Sequence, residues 1–447
     1  MKKMIAALLA IMTLTACGIA AAEQEARKIE TAADADEFIA AFLGEHPEEM
    51  EGVWAFSSQM ETALSQYGGI GGLAKQFAPL GAPVKIDPAY EGELRGYKLF
   101  YVPVAFSAAS TDLILVIQDG VIAGIQPGAY SGGKEKTPAE SEAFDSIELA
   151  LPVPGLGELP GILTLPKGEG PFPAVMLIHG SGPNDRDETM GDLKPFRDIA
   201  EGLAAEGIAV YRFDKRSYVF SMALAADKTI TLETESVEDA VNAVQLLAAQ
   251  DRIDPERILV LGHSMGGNAI PAIARALKEA PAKACGFIMM AASPRPLDEL
   301  VREQYEYLYS LMPEVTEELQ AQKDAVFADL DRLQDVDALA ENDAVMDVWS
   351  SYWKWLAHYD ILQAAEEIEQ PVLLLQGEED YQVTMVDFGI WQEHFGTKAN
   401  WQLKSYPGLT HVFMEGKKTE GQAAYAGNKK MDARVISDVA EFVNGIR

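Results

Sequence analysis

The sequence predicts an α/β fold: a doubly wound, mostly parallel sheet with a helical lid insertion, preceded by a small α+β domain. Three observations carry this. Beyond residue 144, short apolar runs alternate with helical patterns, as a parallel sheet covered on both faces requires. One such run, Ile258 to Leu261, leads through Gly262, His263, Ser264, Met265 and Gly266 into a helical pattern from Asn268 to Leu277. Residues 30–130 follow another plan, helices first and then strands, and a polar stretch rich in Gly, Ser and Pro at 131–143 reads as a linker.

A chain of 447 residues, 48% hydrophobic, has room for two domains and a large core. Its formal charge of −33 argues against nucleic acid as a partner. At the N-terminus, Lys2 and Lys3 precede an apolar run, Met4 to Leu14, that is too short to span a bilayer. Leu14, Thr15, Ala16 and Cys17 then resemble the lipobox of bacterial lipoproteins, so residues 1–17 are expected to be a leader with Cys17 as the lipidated residue. That places the protein outside the cytoplasm, held to a membrane by its N-terminal lipid. The second and last cysteine, Cys285, lies in a buried-strand pattern and reads as a structural thiol.

In the first domain, the spacing of Phe38, Ile39, Phe42 and Leu43 predicts a helix over 32–43, and a second is expected over 53–67. Strands are predicted at 82–86, 97–106 and 111–117, and a turn at 118–122 leads into another. His46, beside Pro47 in a polar turn, reads as solvated, and no catalytic cluster is evident in this domain.

In the second domain, 144–447, an antiparallel hairpin is expected from 146–151 and 159–165. Strands follow at 173–179, 208–213, 258–261, 286–291, 372–375 and 401–406. The segment 294–369 is acidic and helical in pattern, with helices expected over 297–311 and 314–333, and is placed as a lid. Trp349 and Trp353 are four residues apart, as are Trp355 and Tyr359; they either line a lid face or pack the lid onto the body.

Strand, Gly-x-Ser-x-Gly and helix form the context of a nucleophile elbow. The turn strains the serine backbone and lifts its hydroxyl clear of the sheet, and glycines two residues either side avoid collision. Ser264 is therefore the candidate nucleophile. The strand at 372–375 ends in Gly377, Glu378, Glu379 and Asp380, and chemistry in open α/β sheets sits at such carboxyl ends. Asp380 is the candidate acid, with Glu379 as alternative. His411 follows the last strand and is the candidate base. The glycine-rich loop from His179 to Asp187 can turn a backbone N–H toward the serine, so the N–H groups of Ser181 and Met265 are the candidate oxyanion hole. His179 reads as support for that loop. Asp185, Arg186 and Asp187, with Asp214, Lys215 and Arg216, are expected to form ion pairs that stabilise the loops. No metal or organic cofactor is implied.

The chain order Ser264, Asp380, His411 resembles that of the α/β-hydrolase superfamily. More narrowly, the region 146–447 is similar to bacterial esterases with a His-Gly-Ser-Gly-Pro-x-Asp-Arg-Asp loop, present here at 179–187. Asp214-Lys215-Arg216, Pro271 after the elbow, and the run from Trp353 to Asp360 match that group too, while Ser217 and Tyr218 depart from its usual glycine. The resemblance implies a serine hydrolase of small carboxylic esters. Alternatives are aminopeptidase-like or thioesterase activity on the same triad, or a non-catalytic binding lipoprotein on a hydrolase scaffold. The oligomeric state stays open.

Overall fold

Runs of leucine and β-branched residues become the strands of two separate sheets in the computed structural model. It describes residues 26–94, 97–107, 110–128, 141 and 143–446. The expected leader with Cys17 lies outside the described residues, as does the linker at 131–143 apart from 141 and 143. The chain divides into two compact units, Met1–Lys136 and Thr137–Arg447.

In the first unit, the helix Ala32–Phe42 is opened by a Thr31–Asp34 capping box and buries Ala35, Phe38, Ile39 and Phe42. Five antiparallel strands follow: β1 (Pro83–Ile86), β2 (Tyr90–Leu94), β3 (Tyr97–Phe106), β4 (Ser110–Gln118) and β5 (Val121–Gly128). β3, β4 and β5 form the expected meander, and β1 and β2 share the other edge of β3. Two details differ from expectation. The second helix begins at Ser58, not at 53, because Trp54 and Phe56 are drawn into bridges with Arg27 and Ile122, and Ser57 caps the helix. β2 had no apolar alternation to announce it; its Glu91 is exposed beside β3.

The second unit opens with β6 (Phe144–Glu148), the small hairpin β7 (Leu151–Val153) and β8 (Gly157–Leu159), and β9 (Gly161–Pro166). β10 (Phe172–Ile178), β11 (Ala209–Phe213), β12 (Ile253–His263) and β13 (Gly286–Met290) come next. After β14 (Ala344–Val345) and β15 (Val348–Trp349), paired within the insertion, β16 (Val372–Gly377) and β17 (Trp401–Tyr406) complete the set. The main sheet has eight strands in the order β17-β16-β13-β12-β10-β11-β9-β6. It is parallel from β17 to β11 and antiparallel at β9 and β6. This is the predicted doubly wound, mostly parallel sheet.

Side chains alternate faces along a strand, so the fully buried runs of β10, β12 and β13 need cover on both. On one face, Val175, Leu177, Leu259, Leu261 and Ile288 pack with Phe196 and Leu203 of the helix Pro195–Ala205 and with Val435 and Val439 of the helix Ala433–Gly445. On the other, the helices Glu238–Ala248 and Met265–Glu279 lie against β12. The insertion holds helices Leu297–Ser310, Glu317–Asp331 and Ser350–Ala357 around a small core that includes Val326, Leu330, Val345 and Trp353. Among the described residues no helix is long and apolar enough to cross a membrane.

Candidate active site

β12 runs straight into the helix Met265–Glu279, and Ser264 between them has φ 53° and ψ −119°. That conformation is disfavoured for a residue with a Cβ, by about 1–3 kcal/mol, and holds only because the surroundings enforce it. They do so through close backbone approach. A Cβ on Gly262 would collide with the Gly266 carbonyl, and one on Gly266 with the carbonyls of Ile178 and His179. Met290 O accepts from Ser264 N–H at 2.8 Å, fixing the turn to β13.

Asp380 follows β16 and His411 follows β17, and the structure brings them together. His411 Nδ1 lies 2.6 Å from Asp380 Oδ2. Asp380, 2% exposed, also accepts from Gln376 Nε2 at 3.1 Å and from the N–H groups of Gln382 (2.7 Å) and Val383 (3.0 Å). With Nδ1 engaged, Nε2 is the ring nitrogen His411 has left for another group. Glu379, the alternative acid, turns elsewhere: its carboxylate accepts from Lys418 N–H at 3.0 Å.

His263, adjacent to Ser264, ties the elbow to His411. Its Nε2 donates to the His411 carbonyl at 3.0 Å, and the two ring centroids are 4.7 Å apart. Its Nδ1 lies 2.9 Å from Glu188 Oε2. Burial alone would strip the proton from His263, but the Glu188 charge outweighs it and raises the imidazole above its ordinary value. Likewise burial pushes Glu188 up, and His263 more than reverses that. Glu188 Oε1 also accepts from Gly180 N–H at 2.6 Å. One buried carboxylate thus joins the elbow to the loop after β10. Glu188 is not among the residues expected at the site; its signal in the sequence is its place directly after the 179–187 motif.

That loop lies against the serine: a Cβ on Gly180 would sit 3.2 Å from Ser264 Cβ. Among the described residues neither Ser181 N–H nor Met265 N–H has an acceptor. Two free backbone donors beside a strained serine can receive an oxyanion. His179 is buried between Phe196 and Phe213, centroids 5.0 and 5.6 Å away, and burial takes its ring down to about 4, so it stays neutral.

Most of the expected ion pairs form, and one of them links the two motifs. Arg186 grips Asp214 through Nε and Nη2 at 2.9 Å each, Asp187 meets Arg212 at 2.8 Å, and Arg216 holds Asp239. Asp185 is the exception. It accepts from Thr189 N–H and Oγ, and burial beside Asp187 lifts it to about 6.

Above the elbow helix, a cavity of about 320 Å³ is lined mainly by apolar side chains, among them Met265, Leu297, Leu333, Trp353 and Ile361. Trp353 belongs both to this wall and to the insertion's core, so packing and lining are not exclusive. Tyr359 packs at a tilt against Trp355, ring centroids 4.7 Å apart, and inserts its hydroxyl into the elbow helix next to Pro271. Pro271 has no N–H and disturbs the ladder there. The hydroxyl accepts from Ala272 N–H and donates to Asn268 O, 3.1 Å each.

Cys285 is a free, half-buried thiol, pushed up to about 11 by burial. His46 is exposed, 3.2 Å from Glu48. Among the described residues no group of three or more His, Cys, Asp or Glu could hold a metal ion.

The sequence profile of the family described as serine aminopeptidase, S33 matches residues 171–417. Esterase EstD of Thermotoga maritima is 33% identical over 350 residues, 78% of this chain and 80% of that protein. Two solved structures overlap more loosely. Est1E from Butyrivibrio proteoclasticus is 16% identical with a TM-score of 0.42, covering 67% of this chain and 98% of its own. A hyperthermophilic esterase from Pyrobaculum calidifontis is 16% identical with a TM-score of 0.44, covering 68% and 87%.

Proposed function

The chain belongs to the serine aminopeptidase, S33 family of α/β hydrolases, and on that footing we propose that it is an exported serine esterase acting through an acyl-enzyme. Ser264 Oγ attacks the ester carbonyl while His411 Nε2 takes its proton. Asp380 holds the His411 tautomer and balances the imidazolium. The N–H groups of Ser181 and Met265 donate to the oxyanion, and His411 then protonates the departing alcohol. Water, activated by the same imidazole, releases the acid. The observation that carries this is the 2.6 Å contact between Asp380 and His411, at the same sheet edge as the strained Ser264.

The cavity beside Met265 is near the lower end of the usual range for small-molecule sites and chiefly apolar, which suits an ester with a short aliphatic or aryl group. The test is turnover of p-nitrophenyl butyrate by wild type and Ser264→Ala. Turnover should vanish while the melting transition stays; undiminished turnover sinks the mechanism.

The family description favours a second reading, aminopeptidase-like cleavage on the same residues. An aminoacyl p-nitroanilide and a thioester, run beside the ester, separate these activities. Labelling of folded protein by a fluorophosphonate separates all three from a binding protein. Export rests on the leader pattern ending at Cys17; Cys17→Ala should move the protein from the membrane fraction to the soluble one.

A further inference from the structure

We propose that Lys215 is a positioning residue that holds the Gly180–Ser181 peptide from behind and so aims the Ser181 N–H at the oxyanion. The inference rests on the serine-hydrolase reading above and adds a residue to it.

Lys215 is 3% exposed. A lysine buried that far is placed by specific partners. Its Nζ donates to Gly180 O at 2.9 Å and to Gly182 O at 3.1 Å, the carbonyls on either side of Ser181. Asn184 Nδ2 adds a donor to Gly180 O at 3.2 Å. Gly180 O and Ser181 N–H belong to one peptide unit. In a trans peptide these two groups point to opposite sides. Drawing the carbonyl toward Lys215 therefore turns the N–H away from it. That N–H has no acceptor among the described residues, and Gly180 borders Ser264. Glu188, on Gly180 N–H, holds the preceding peptide, so successive units of the loop are clamped.

The ammonium also polarises the peptide it grips. A charge-assisted bond at the carbonyl strengthens the N–H as a donor. A positive charge thus reaches the oxyanion through the peptide, without touching substrate.

Glu235 keeps the ammonium in place, at 3.3 Å, and Tyr352 donates to Glu235 at 2.9 Å. Tyr352 lies on the helix Ser350–Ala357 of the insertion, so the insertion supports the oxyanion loop through two side chains.

The test uses the full chain. Lys215→Met alone strands the Glu235 charge and can unfold the protein, so Lys215→Met/Glu235→Gln, which removes both ions, is the primary variant. Removing one oxyanion donor outright costs about 10²–10³ in kcat. Losing its orientation and polarisation should cost about 10–100-fold, in kcat rather than KM. Inhibition by a trifluoromethyl ketone, whose serine adduct carries the oxyanion, should weaken by the same factor. Tyr352→Phe, which keeps both ions, should shift both readouts in the same direction by a smaller factor. A folded double variant with wild-type kcat and ketone affinity overturns the proposal, as does a loss confined to KM. If Ser264→Ala is inactive while these variants are normal, only the role of Lys215 falls. If Ser264→Ala still turns over ester, the underlying reading falls.

Discussion

His263 and Glu188 form a buried ion pair beside Ser264, 2.9 Å apart and each about 5% exposed or less. His263 lies between a carboxylate and the His411 carbonyl, and both partners favour the protonated ring.

The pair has a pH signature. His263 is raised above its ordinary 6.5, so its contribution is full below about 6.5 and is lost as pH rises through the higher folded value. Glu188 is held below its ordinary 4.5, so its contribution is present above about 4.5 and is lost as pH falls through the lower folded value. Glu188→Gln removes the counter-charge, and burial then depresses His263. Stability of the variant should be lower by on the order of 3 kcal/mol at pH 6. The gap to wild type should narrow as pH rises from 6.5 to 9. Urea denaturation across that range reads both; a gap independent of pH would contradict the ion pair.

Asp380 and Glu379 are neighbours with opposite consequences. Asp380→Asn keeps the size but removes the charge that orients His411, and kcat should fall by about 10³–10⁴. Glu379→Gln should leave kcat within about twofold, since its carboxylate meets Lys418 N–H and not the imidazole. Steady-state kinetics of the two variants decide between them, and equal losses would count against the assignment.

Tyr359 closes the gap in the elbow helix beside Pro271. Tyr359→Phe leaves Ala272 N–H and Asn268 O facing an apolar ring, at a cost of about 1–3 kcal/mol. A lower urea midpoint is expected. An unchanged midpoint would mean the helix re-forms its own bond across the proline.

Much of this site was legible in the residue order because its parts lie at the ends of strongly apolar strands. A parallel sheet sends its carboxyl ends to one edge, so Ser264, Asp380 and the loop at 179–187 could be placed there from pattern alone. The choice of Asp380 over Glu379 was a preference on paper. Side-chain direction settles which carboxylate meets His411, and adjacent residues differ in direction by geometry no pattern records. Asp185 misled for a related reason: an acid beside an arginine reads as an ion pair, yet its carboxylate turns back to cap Thr189. The first unit shows the same limit, since Trp54 and Phe56 fall inside the expected helix but find bridge partners far along the chain.

By itself the sequence determined the strands, their alternation with helices and the glycines that permit the elbow, because these follow from local sterics and apolar periodicity. Only the tertiary structure decided that Glu188 sits under the elbow, that Lys215 backs the loop at 179–187 and that Tyr359 enters the helix at Pro271. Each joins residues more than 30 positions apart, or turns on where a side chain points. Such contacts are selected by the packing of the whole sheet and its covering helices, and a linear pattern holds no record of them.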